Sequence, residues 1–198
     1  MRVSMRVLSV AAAMALIPGS MLWAQAPAPA PAPAQAQAAP LPPEATANPV
    51  AWSAKYLYQR DVKNMIAAAD EMPEDKYSYH PTPDQWTFGK VVSHIAQSNG
   101  ALCAALSGTT APASLQVSDT ASKADLGKAL QASFDFCGPV LDGLTDAKLA
   151  DTVTVFHRTM PRAMVLVLLP VDLADHYSQM AAYLRLNGLT PPSAQPRK

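Results

Sequence analysis

Beyond residue 50, apolar residues recur at intervals of three and four through most of the chain, and strand-like alternation is sparse. The first such stretch runs from Ala51 to Met72, with Tyr58, Val62, Met65, Ile66 and Ala69 on one stripe and Pro73 as its stop. A second, from Thr87 to Ser107, carries Val91, Ile95, Leu102 and Leu106 and is followed by Gly108, which suits a helix end. After a loop rich in Thr, Ala, Pro and Ser over 109–120, a third helix is predicted from Ser122. Its spacing to Asp125 is that of a capping box with Asp in place of Glu or Gln. Leu126, Leu130, Ser133, Cys137, Val140 and Leu144 then step by fours and threes, as in a bundle. Asp151 to Phe156 alternates as a small strand or extended loop would. A fourth helix is predicted from Thr159 or Pro161 to Asn187, with Gly188 as its C-terminal cap, Pro191 beyond and a kink at Pro170. Four long helices with one long connection predict an all-α four-helix bundle over 50–190, followed by a tail over 191–198.

The N-terminus reads differently. Arg2 and Arg6 precede an apolar run from Val7 to Leu16, and Ala24-Gln25-Ala26 forms a small-residue exit, so residues 1–26 are expected to be a signal peptide. The run is shorter than the about 20 residues a spanning helix needs. Pro27 just past that exit disfavours cleavage there, Ala34-Gln35-Ala36 offers a later site, and an uncleaved anchor is the alternative. Residues 27–49 alternate proline with alanine and then become Ala/Pro/Gln-rich. The expectation is a disordered linker, extended at about 3 Å per residue. Localisation is therefore expected to be periplasmic or secreted, with a membrane met only during export.

The 198 residues carry 15 basic and 15 acidic side chains, and removing residues 1–26 leaves 13 against 15, a net charge of −2. No basic stripe with interleaved aromatics is present, which excludes the usual nucleic-acid footprint. The two cysteines, Cys103 and Cys137, lie on consecutive predicted helices. In an oxidising compartment they are expected to pair; two buried thiols are the alternative.

Four histidines occur. Asp172 and His176 are four apart on the fourth helix, so they share a face about 6 Å from each other. His94 borders the apolar stripe of the second helix. Three such N and O donors with open positions suit a divalent metal, although an Asp/His pair at this spacing is also a common hydrogen-bonded couple. If they form a site, their donor atoms are expected to converge within about 3 to 4 Å at a bundle end. His157 reads as a solvated loop residue. Tyr177 and Gln179, flanking His176, either line the site or serve packing and surface, and Trp52, Trp86, Met160, Met164 and Met180 read as core or cap.

Tyr77-Ser78-Tyr79-His80-Pro81-Thr82-Pro83, then Thr87-Phe88-Gly89 and His94-Ile95-Ala96, resembles the DinB-like pattern Y-x-F-R-P-T-P, T-F-G and H-I-A. Asp175-His176-Tyr177-Ser178-Gln179-Met180, followed by Tyr183-Leu184-Arg185, Gly188 and Pro191-Pro192, resembles that family's last helix and tail. The resemblance implies a four-helix bundle with a divalent metal, often Zn or Ni, held by three histidines, and relatives that include thiol-dependent transferases and isomerases; a carboxylate among the ligands also admits Mn or Fe. It places the first ligand on His94, the last on His176 and the middle one on Asp172, where the family has histidine. Either a His/Asp/His site still binds, or the site has lapsed. His80 stands where the family has arginine. DinB-like bundles pair through helix faces, so a homodimer is an open possibility for this chain.

The resulting expectation is an exported metal-dependent hydrolase or transferase acting on a small molecule. The alternative is a non-catalytic module binding a small ligand or a protein.

Overall fold

The computed structural model describes residues 39–196. The expected signal peptide, and the expected linker as far as residue 38, lie outside the described residues. A short helix α1, Pro43–Ala47, precedes α2, Pro49–Glu71. Helix α1 and the first residue of α2 fall inside the segment, 27–49, expected to be unstructured linker. Proline at the first helical position is preset for helix. A distant carboxylate then completes the start of α2: the Val50 and Ala51 amides donate to Asp146 Oδ2 and Oδ1 at 3.0 and 2.8 Å, while Asn48 Oδ1 accepts from the Asp146 amide at 3.0 Å.

Helix α3 spans Phe88–Ser107, opened by Thr87, whose side chain accepts from the Lys90 amide, and closed by left-handed Gly108 at φ 73°. Helix α4 spans Lys123–Asp142. Ser122 Oγ accepts from the Asp125 amide at 3.1 Å and donates to Asp125 Oδ2 at 2.8 Å, a variant of the expected capping box. In α4 the core positions are Leu126, Leu130, Ser133, Cys137 and Leu141, with Leu141 buried where Val140 was expected to be.

The segment after α4 forms a β-hairpin, with Thr152–Val155 (β1) paired antiparallel to Arg158–Pro161 (β2). The second strand is a correction, since Thr159 was read as a possible helix start. Helix α5, Arg162–Leu186, begins without a side-chain cap. Its first amides are satisfied by the preceding loop: Arg162 N donates to Asp151 O at 2.7 Å and Ala163 N to Leu149 O at 3.0 Å. Pro170 lies inside α5, and the helix continues through it. At the C-terminus, Gly188 (φ 76°) donates to Arg185 O and Leu189 to Leu184 O, the paired bonds of a Schellman motif.

Helix α3 packs on α4 and α5, and α2 packs on α5 and α4. Phe88, Met65, Ile95, Leu130, Leu166, Leu173 and Met180 are fully buried between them. Cys103 of α3 and Cys137 of α4 lie at disulfide distance, Cα to Cα 5.4 Å. The tail turns back onto the bundle, where Tyr177 Oη accepts from the Ser193 amide at 2.9 Å. No helix among the described residues is long and apolar enough to cross a membrane.

Candidate metal centre

The neighbouring stripes on α3 and α5 bring three side chains together. His94 is the seventh of the 20 residues of α3, and Asp172 and His176 are the eleventh and fifteenth of the 25 in α5. The group therefore sits part way along α5 rather than at its end. One donor atom from each of the three lies within 4.8 Å of the other two. That bound is looser than the expected 3 to 4 Å. His176 Nε2 approaches Asp172 Oδ1 at 3.4 Å, and the two imidazole centroids are 4.6 Å apart at 69°.

A serine fixes the carboxylate. Ser98 Oγ donates to Asp172 Oδ2 at 2.7 Å, and Ser98 lies one helical turn beyond His94, buried on the same face. One carboxylate oxygen is thus engaged by α3, which turns the other toward the rings. Trp86 covers them from the loop before α3. Its ring stacks on His176 at 6.0 Å and 15° and lies 4.9 Å from His94, while its carbonyl accepts from Tyr183 Oη at 2.9 Å. Trp86 is therefore part of the site, not core.

Burial raises the cost of charge throughout the group, yet the three members respond differently. For Asp172 burial is outweighed by the hydrogen bonds from His176 and Ser98, and the carboxyl stays below its ordinary value. In His176 burial is outweighed by the Asp172 carboxylate, which holds the imidazolium above its ordinary value. Burial and the neighbouring His176 both push His94 down, so its ring is the more readily neutral ligand.

The donor set fits a divalent ion. Two imidazoles and one carboxylate are a combination that zinc, manganese and iron accept. Bonds of about 2.0 to 2.2 Å place tetrahedral ligands about 3.4 Å apart, so the group needs roughly 1 Å of side-chain closure. His176 Nδ1 is buried without a hydrogen-bond partner among the described residues, so the contact to Asp172 and the stacked Trp86 ring orient the imidazole.

Two clefts flank the triad. One, of about 410 Å³, is lined by Trp86, Asp175, His176, Gln179 and Tyr183 among others. The other, of about 300 Å³, is lined by His94, Ser98, Asp172 and Asp175 together with apolar side chains. Asp175 borders both and accepts from Gln179 Nε2 at 3.4 Å. Gln179 accordingly lines the site, whereas Tyr177 does not: it is buried and bonded to the tail. His80 is exposed, with Nδ1 2.7 Å from Thr82 O, and His157 is exposed in the hairpin turn. Neither joins the group.

Sequence reasoning missed Ser98, Trp86 and Asp175. Ser98 stands four residues after His94 on an otherwise apolar face, and Asp175 stands three after Asp172, so helical spacing held a signal for both. Only tertiary structure reveals Trp86, which approaches the rings from a loop.

Two solved structures share this fold. A DinB-like protein of Bacillus subtilis superposes with a TM-score of 0.58 at 22% identity, over 74% of this chain and 99% of that one. Another, from Bacillus cereus, gives 0.57 at 22% identity over 68% and 91%. No curated protein matches the chain. The family model described as the DinB superfamily matches residues 57–180, a stretch that runs from within α2 to within α5 and holds all three converging side chains, and by that match the chain belongs to the DinB superfamily.

Proposed function

We propose that this protein is an exported metal-dependent hydrolase or transferase in which His94, Asp172 and His176 hold a divalent ion. The observation that carries the reading is the convergence of three donor atoms from α3 and α5 within 4.8 Å. Such an ion supplies Lewis acidity, which polarises a carbonyl or phosphoryl oxygen or acidifies water. Around it the chain contributes an oriented carboxylate through Ser98, an indole wall that shields the rings, and an exposed carboxylate. Asp175 borders both clefts and is placed to accept a proton from a nucleophile or return one to a leaving group. Export is supported by the basic, apolar and small-residue succession over residues 1–26 and by the cysteine pair at disulfide distance.

A second reading rests on a specific contact. Both Asp172 oxygens already have partners, Ser98 on one and His176 on the other, so the group is also satisfied as a closed hydrogen-bonded unit. That arrangement suits a non-catalytic binding module. Elemental analysis of protein purified without a histidine tag separates the two: about one equivalent of zinc, manganese, iron or nickel supports the metal enzyme, and metal-free protein that takes up none on titration supports the module.

A further inference from the structure

The smaller cleft has a mixed lining. Beside His94, Ser98, Asp172 and Asp175, its apolar wall is made by Leu102, Phe156, Leu168 and Val171. Two of these are large apolar side chains left in the open, Phe156 at 58% and Val171 at 56% exposure. Met164 and Val167, also exposed, continue the same stripe along α5 at helical spacing.

Phe156 is also held in an unfavourable backbone conformation. It and His157 form the two-residue turn between β1 and β2, with φ of 48° and 60°. Positive φ at both positions marks the hairpin turn that Asn-Gly ordinarily fills, because a side chain with a bulky ring is strained there. Such strain is usually offset by packing elsewhere or kept for function. Exposure leaves the Phe156 ring little packing of its own. Local stability favours Asn at this position, and the chain instead places an aromatic ring against the cleft that His94 and Asp172 also line.

We propose that this wall binds the hydrocarbon part of a small amphipathic substrate, an acyl or alkyl compound whose polar end meets His94 and Asp172, with Phe156 as its cover. The proposal rests on the metal-site reading for the polar end only. A volume of about 300 Å³ lies at the small end of ligand pockets, which fits a short chain better than a lipid. The polar groups of the lining fix orientation, and its apolar residues select chain length.

Calorimetric titration of the zinc-loaded full chain with acetohydroxamate and hexanohydroxamate tests it. Affinity is expected to rise up to about fourfold for each methylene buried, so the hexanoyl compound binds at least tenfold tighter. Phe156→Asn should collapse that ratio while raising the melting temperature, because Asn tolerates positive φ; Phe156→Leu should keep most of the ratio. An equal affinity for the two compounds, or a ratio unchanged in Phe156→Asn, overturns the proposal. A dimer in wild type that Phe156→Asn separates, with no chain-length preference, overturns it in favour of a second copy covering the stripe. Failure of the metal reading looks different: neither hydroxamate binds, yet 1-anilinonaphthalene-8-sulfonate binds the wild type and at least fivefold more weakly to Phe156→Asn, which sustains the apolar wall.

Discussion

Ser98 Oγ donates to Asp172 Oδ2 at 2.7 Å, tying the proposed middle ligand on α5 to the helix that carries His94. Aspartate is shorter than the histidine that the DinB-like resemblance implies at this position, and the serine orients it. Removing such a supporting bond typically costs 10- to 100-fold in metal affinity, so Ser98→Ala should weaken zinc binding by about that factor. Competition with a chelator of known affinity measures it. Unchanged affinity would show that Ser98 only packs.

His176→Ala should abolish stoichiometric metal, because it removes one of three donors and leaves two. Asp172→His should retain or strengthen zinc binding, since it supplies the third histidine that the DinB-like resemblance implies. Metal content of the purified variants reports both. A lapsed site predicts a metal-free wild type with uptake only after Asp172→His, which is the outcome that counts against the proposed function.

In the metal-free protein the Asp172–His176 pair gives stability a pH dependence. His176 is held above its ordinary 6.5, so its contribution is complete below that pH and is lost as pH rises through the folded value. Asp172 is held below its ordinary 3.8, so its contribution is present above that pH and is lost as pH falls through the folded value. The stability difference between wild type and Asp172→Asn should therefore be largest near pH 5 to 6 and shrink toward pH 8.5. Urea midpoints measure it, and a difference that grows with pH would contradict the assignment.

Gly89 tests a packing constraint in the Thr87-Phe88-Gly89 motif. A Cβ built there would lie 2.7 Å from the carbonyl oxygen of Asp119, a backbone atom with little freedom to retreat. Gly89→Ala should cost about 1 to 3 kcal/mol despite the better helix propensity of alanine. Gly127 has open space and is the control: Gly127→Ala should stabilise or leave stability unchanged.

Cys103 and Cys137 close a loop with a separation of 34 residues. Thiol titration of unreduced, denatured protein should find none free. Replacing both with alanine should lower stability by about 3 to 4 kcal/mol on the chain-entropy account. Two reactive thiols per chain would remove the bond.

Helix identity was legible in the sequence because apolar spacing of three and four is a local property. The stripes Val91, Ile95, Leu102, Leu106 and Leu126, Leu130, Ser133, Cys137 are buried as that spacing requires. Asp172 and His176 were legible as a pair for the same reason, and the Tyr77–Ala96 motifs together with those from Asp175 onward linked them to His94. The hairpin was not, because Phe156-His157 lacks the Asn-Gly signature while adopting its backbone. The cap of α2 was not, because it is the carboxylate of Asp146, 95 residues from Ala51. Tertiary packing alone decided that Ser98 reaches Asp172, that Trp86 covers both rings and that His94 and Asp172 share a cleft with Leu102, Phe156, Leu168 and Val171. Each of these joins residues on different elements, where distance along the chain says nothing about distance in space.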